Sequence, residues 1–291
     1  MPKAKLVYIM SLRNAAADKA GQNVDYKGAP RYMKSPLEYL AEALDTTPLG
    51  DAYSLEGIVY DDDAQSPRDQ AALADYGFAW HPERKWIFPA ELRAQGKLLR
   101  DMLHPVPSAY RRMPLAAPGR VAGKSAFERA LLDKLLTLRA DIVLLDGLLV
   151  ILDELVRPGS HYYRKIVNIH PGITRLESPF QRRGAYATLD ALHGAQGHKV
   201  VDWAAMTKVK VPVVDRTGAS LHYVDNGIDS GEVIFDVLDT PIDPEDTILE
   251  LRWNNFNRSL FPAMHQGMSL LAPHVLGPQT RQAHFLEDAS A

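Results

Sequence analysis

Asn168-Ile169-His170-Pro171-Gly172 closes an apolar run that begins at Lys165. Residues two apart on a strand share a face, so the Asn168 amide and the His170 imidazole point the same way. A fixed amide donor beside a group that titrates near neutrality suits oxyanion and acid–base chemistry. Alone, the pair equally fits a core histidine with an Asn turning the chain. A second segment, Leu221-His222-Tyr223-Val224-Asp225-Asn226-Gly227-Ile228-Asp229-Ser230-Gly231, reads as a strand feeding a loop with two glycines and the carboxylates Asp225 and Asp229. Asp229 also fits the simpler job of bracing its own loop. His222 is expected to be a core histidine bonded to backbone.

Other candidate motifs lead nowhere. Gly119-Arg120-Val121-Ala122-Gly123-Lys124-Ser125 has three residues between its glycines where a P-loop needs four, and no strand precedes it. It reads as the start of a helix. Asp61-Asp62-Asp63 is expected to be a solvated turn at a strand end. Residues 12–19 hold no glycine, so a dinucleotide fingerprint is absent. No HExxH pair occurs among the ten His, and no metal is expected. The chain has no Cys, which excludes disulfides, Cys-ligated zinc and a Cys nucleophile.

The elements that must position these residues follow a strand–helix rhythm. Leu6 to Ser11, Leu55 to Tyr60, Asp141 to Leu145 and Lys165 to His170 are short apolar runs, as buried parallel strands require. Trp86 to Phe88 is a further strand candidate. Ser35-Pro36 marks an N-cap and first helical position, followed by Leu37, Leu40, Ala41 and Leu44 on one face. Helices are also expected over Ser66 to Tyr76, closed by Gly77, and over Gly123 to Arg139. Leu12 to Lys34 reads as a polar connection, and the prolines between Leu98 and Gly119 exclude a continuous helix. Ser220 to Val224 and Glu232 to Leu238 look like two strands. Asp243-Pro244-Glu245-Asp246 looks like a capping box opening a helix that carries Leu249, Trp253, Phe256, Leu260 and Met264 and ends near Gly267. The result is an α/β fold with a parallel sheet.

A chain of 291 residues is long enough for a large core, and its formal charge of −3 with no long block of either sign argues against duplex nucleic acid and anionic membrane as main partners. No run approaches the roughly 20 apolar residues of a membrane span. With no address signal, a cytoplasmic location is expected. No obligate protein partner is inferred.

Taken together, Asn168-x-His170-Pro171 and His222-x-Val224-Asp225-x-Gly227-x-Asp229-Ser230-Gly231 resemble the folate-dependent formyltransferases, a family that includes glycinamide ribonucleotide transformylase and methionyl-tRNA formyltransferase. Gly147 and Ile151-Leu152, Arg183-Gly184, Pro241-Ile242 and Asp246-Thr247 match in family order. Met10 to Asn14, Tyr32 to Leu40 and Tyr110-Arg111-Arg112 resemble the branch that formylates N5-hydroxyornithine for pyoverdine-type siderophores. The resemblance implies a Rossmann-like formyltransferase fold, mostly parallel and flanked by helices, with an antiparallel extension after residue 218. It implies one catalytic domain over 1–271, with an acceptor-side half (1–140) and a folate half (141–271), and a tail over 272–291. It further implies 10-formyltetrahydrofolate as co-substrate and a small amino-acid acceptor.

The implied pterin contacts are Leu149, Val150, Ile151, Leu152, Tyr223, Val224 and Asp225. Asn168 would donate to the oxyanion. His170 would stabilise the same charge and act as general acid, and Asp229 would orient it. Arg13, Arg31 and Lys34 are candidates for the acceptor's carboxylate, where relatives bind phosphate; the glycine-rich phosphate loop itself is missing. Alternatives are a 10-formyltetrahydrofolate hydrolase, an amino-sugar formyltransferase and a folate-binding module with an inactive site. A hydrolase would be expected to carry a regulatory domain before Leu6, and a tRNA enzyme a barrel after Gly267.

Overall fold

The computed structural model describes residues 2–63, 65–75, 89 and 91–276. Seven strands form the central sheet: β1 (Ala4–Met10), β2 (Tyr53–Asp62), β3 (Leu103–Pro107), β4 (Ile142–Asp146), β5 (Ile166–His170), β6 (Arg216–Tyr223) and β7 (Val233–Pro241). Their spatial order is β7-β6-β5-β4-β1-β2-β3. The pairings from β3 through β5 are parallel, whereas β6 and β7 run antiparallel. The antiparallel extension therefore starts at Arg216, two residues before the expected Gly218.

β1 is apolar at every position from Leu6 to Met10 because both faces are covered. Leu6, Tyr8 and Met10 belong to one core cluster, and Val7 and Ile9 to the opposite one. The first is closed by α2 (Pro36–Thr46) and α7 (Phe261–Leu276), the second by α4 (Arg120–Thr137). Of the helices between, α1 (Leu12–Ala17) follows β1 directly, α3 (Pro67–Asp75) follows β2, α5 (Ala187–Ala195) precedes β6, and α6 (Ile248–Asn255) precedes α7. Ser35 caps α2 as expected: its Oγ accepts from Glu38 N at 3.0 Å while the Glu38 carboxylate accepts from Ser35 N at 2.8 Å. Gly119 caps α4 with a φ of +89°, confirming a helix start there.

Several expectations need correction. Leu12 to Lys34 is not a bare connection: it holds α1 and the hairpin Asn23–Tyr26/Ala29–Tyr32. Leu103–Pro107 is a strand despite Pro105 and Pro107, because it lies at the sheet edge, where a missing N–H on the outer side costs nothing. Asp61 and Asp63 are not solvated: they are 8% and 6% exposed, paired with Arg13 and Arg111 and with Arg112 respectively. Those partners lie about 50 residues away in sequence, so nothing local announced them.

The capping box before α6 is Thr247/Glu250, four residues beyond the expected start; Asp243 instead accepts from Glu245 N in the preceding turn. Gly267 does not end a helix. It lies inside α7 because a Cβ there would come within 2.4 Å of the Leu221 side chain. The periodic stretch from Leu249 to Met264 is two helices joined by a π-type turn, Phe256–Leu260. The tail expected from Ala272 begins later, since 272–276 are the last residues of α7; the rest of it, the expected strand at Trp86–Phe88, and Tyr76 and Gly77 lie outside the described residues.

Candidate active site

Sequence order reverses in space between β1 and β4: the chain runs β1, β2, β3 to one side and returns to β4 on the other. Open α/β sheets bind ligands beyond the carboxyl ends of the strands at such a point. A cavity of about 410 Å³ lies there, a volume suited to a small molecule. Asn14 and Asp18 after β1, Asp146 to Leu152 after β4, and Asn168 to Pro171 from β5 line it, with His222, Asp229 and Arg252.

The pairing register places the chemistry. Across the antiparallel β5–β6 pair, Asn168 stands opposite His222 and His170 opposite Ser220, so all four side chains share a face. Ile169 and Leu221, the alternating partners, face the apolar core. The loop after β6 then folds back over this face. Asp225 Oδ1 accepts from Gly227 N at 3.1 Å and from Ser230 Oγ at 2.7 Å. Gly231 passes so close to β6 that a Cβ would stand 1.8 Å from the Tyr223 carbonyl oxygen. Asp229 adopts a φ of +46°, a region that Asp enters more readily than most residues.

Asp229 is the hub. Its Oδ2 accepts from Gly184 N at 2.8 Å and lies 3.3 Å from His170 Nδ1. Its Oδ1 accepts from Asn168 Nδ2 at 3.3 Å and lies 3.5 Å from His222 Nε2. The His170 Nε2 faces the Arg182 carbonyl at 3.1 Å. His222 Nδ1 lies 2.8 Å from the Tyr223 carbonyl, so that nitrogen carries the hydrogen. The other nitrogen of a neutral His222 is then an acceptor for Asn168 Nδ2, 3.2 Å away. His222 is thus bonded to backbone as expected, yet its second nitrogen belongs to the cluster.

Burial alone would raise Asp229, but the facing imidazoles of His222 and His170 and the Gly184 N–H hold it well below the usual carboxylate range. Burial pushes the His170 imidazole below its ordinary value, against the opposing pull of Asp229. Burial also lifts Asp146 to about 7, although it accepts a 2.6 Å hydrogen bond from Tyr8 Oη.

The loop after β4 supplies an apolar wall. Leu149 and Ile151 are 52% and 44% exposed and both line the cavity. Its far side is pinned by buried Glu128 of α4, whose Oε2 accepts from Asp153 N at 2.9 Å and Glu154 N at 2.7 Å. Leu149, Val150, Ile151, Leu152, Val224 and Asp225 all line the cavity. Tyr223 is not among the lining residues; alternation along β6 turns it to the opposite face, where the Arg164 guanidinium lies 4.2 Å over its ring.

Arg13, Arg31 and Lys34 do not line the cavity. Arg13 pairs with Asp61 and Asp69, both at 3.3 Å; Arg31 lies over the Trp253 ring; Lys34 pairs with Glu42. Sequence reasoning missed Asn14, Asp18, Asp146 and Arg252. Only Asp146 had a signal, as the charged residue closing an apolar strand. Arg252 sits in a helix remote in sequence, and only the fold brings it to Asp18.

This topology, with its polar cluster at the reversal of strand order, matches known proteins. The formyl transferase family model covers residues 106–264, and the chain belongs to that family. Among solved structures, PvdF of pyoverdin biosynthesis, a structurally unique N10-formyltetrahydrofolate-dependent formyltransferase, superposes with a TM-score of 0.85; the two are 66% identical over 93% of this chain and 99% of that one. Glycinamide ribonucleotide transformylase 1 from Symbiobacterium toebii shares the fold at 18% identity, with a TM-score of 0.51 over 94% of this chain and 89% of its own. No curated protein sequence matches. Among the described residues no helix is long and apolar enough to cross a membrane.

Proposed function

We propose that this enzyme transfers the formyl group of 10-formyltetrahydrofolate to the hydroxylamine nitrogen of N5-hydroxyornithine for siderophore biosynthesis. The observation that carries the reading is the 66% identity to the folate-dependent PvdF across nearly the whole chain, with Asn168, His170 and Asp229 converging on one cavity. The exposed aliphatic loop over 149–151 supports a flat heteroaromatic donor on that wall. The acceptor-side half (1–140) would then contribute α1, and the half over 141–271 the donor wall and the reacting groups.

A hydroxylamine nitrogen is largely uncharged at neutral pH and needs no strong base. It attacks the formyl carbon and forms a C–N bond, and negative charge develops on the formyl oxygen. Asn168 donates an N–H to that oxygen, exchanging one of its present partners for the substrate. His170 takes the proton lost by the attacking nitrogen, directly or through water, and holds it against Asp229. As the intermediate collapses, the bond to folate N10 breaks and that nitrogen receives the proton. Asp229 orients His170 and balances its charge throughout.

Purified protein is expected to consume 10-formyltetrahydrofolate in proportion to N5-hydroxyornithine, with the formylated product seen by mass spectrometry. Consumption without acceptor would replace this reading by a hydrolase. Asn168→Ala and His170→Ala are expected to stay folded by circular dichroism and lose at least ~10²-fold in kcat. Wild-type turnover in either would remove the role given to that residue.

A further inference from the structure

Asp18 and Arg252 form an ion pair on the cavity wall, and neither is used by the chemistry above. Asp18 is the C-cap of α1 and Arg252 lies on α6, so the pair joins opposite ends of the chain. The Arg252 Nε is buried without a hydrogen-bond partner among the described residues. Burying a guanidinium N–H with nothing to accept it is costly unless a ligand does so. Asp18 is likewise held in a setting that disfavours its charge, since burial raises it despite Arg252.

We propose that Asp18 and Arg252 are the receptor for the charged end of the acceptor: Arg252 binds the α-carboxylate of an amino acid and Asp18 its α-ammonium. The inference rests on the acceptor reading above and names the residues that select it. An arginine offers the paired N–H donors that a carboxylate takes, and the carboxylate beside it offers the complement for an ammonium. An acceptor carrying both charges replaces the internal pair without leaving either partner exposed. Arg252 is the one Lys or Arg among the residues lining the cavity and already faces Asp18, so the wall disfavours a phosphorylated acceptor.

The reach is right. The strand that leads into α1 is two strand spacings, about 10 Å, from β5. Four bonds of ~1.5 Å separate an ornithine α-carbon from its side-chain nitrogen, and a hydrogen bond of ~3 Å at each end completes a comparable span.

The test is steady-state kinetics with 10-formyltetrahydrofolate and three acceptors: N5-hydroxyornithine, N-hydroxy-1,4-diaminobutane (no α-carboxylate) and 5-(hydroxyamino)pentanoate (no α-amine). Wild type is expected to prefer N5-hydroxyornithine over each truncated acceptor by about 30–150-fold in kcat/KM. Arg252→Gln is expected to lose the preference over the first, and Asp18→Asn that over the second. Both effects should appear in the acceptor's KM, with the folate KM within ~2-fold of wild type. Arg252→Lys, which keeps the charge, should retain part of the preference and stands in if Arg252→Gln does not fold. Unchanged preferences in these variants overturn the receptor while leaving N5-hydroxyornithine as acceptor. A wild type that formylates none of the three removes the acceptor reading, and the receptor with it.

Discussion

His170 faces two oxygens, the Arg182 carbonyl at 3.1 Å and the Asp229 carboxylate at 3.3 Å, but a neutral imidazole carries a single N–H. Only the imidazolium satisfies both, and burial opposes that charge. The resting group is therefore neutral and able to take the proton that the proposed mechanism releases from the attacking nitrogen. An NMR titration of labelled imidazoles is expected to place His170 below the ordinary 6.5. Asp229→Asn should lower it further, because the Asp229 charge pulls it upward. A midpoint above 6.5, or a rise in Asp229→Asn, would contradict the proton-holding role. At this scale the sequence exposed the Asn168/His170 pair through strand alternation, and Asp229 only through family resemblance. His222 was ambiguous because a core histidine and a cluster histidine differ in pairing register, which no local pattern encodes. Arg252 was hidden, since its helix and α1 meet only in the folded chain.

Elements set how finely those groups are held. Gly267 lets α7 lie against β6, whose other face carries His222. Gly267→Ala pushes a methyl into Leu221 and is expected to cost about 1–3 kcal/mol by denaturant unfolding, where a solvent-facing helical Gly→Ala would stabilise instead. Glu128 holds the start of the segment after Leu152 by two backbone N–H groups and pairs with Lys124 at 2.5 Å. Glu128→Ala leaves those groups unpaired, and the folate KM is expected to rise several-fold more than the acceptor's; equal KM values would detach Glu128 from the donor wall. The long apolar strands and the Ser35 cap were legible because burial on both faces and capping chemistry are local. The Leu103–Pro107 strand was not: proline speaks against a strand until its edge position is known. Gly267 read as a stop for the same reason, since a glycine required by a neighbouring sheet looks, in one dimension, like a glycine that ends a helix.

Stability of the whole chain should carry the mark of the cavity. Asp146 sits between Tyr8 and Asp18, and burial, reinforced by the Asp18 charge, keeps its folded-state value near 7, far above the ~3.9 of an unfolded chain. Between those two values the native protein retains a proton that the unfolded chain releases. Stability therefore falls as pH rises from about 4 to 7 on account of this group, and levels off above. Asn at this position keeps an acceptor for the Tyr8 hydroxyl and has no charge to desolvate. Asp146→Asn is expected to melt near the wild-type temperature at pH 4.5 and several degrees above it at pH 8, a gain of about 2–4 kcal/mol. Asp18→Asn should shrink that gain by removing the charge that helps raise Asp146. A melting difference that stays constant from pH 4.5 to pH 8 would show that Asp146 is ionised in the native state throughout that range, contrary to a value near 7.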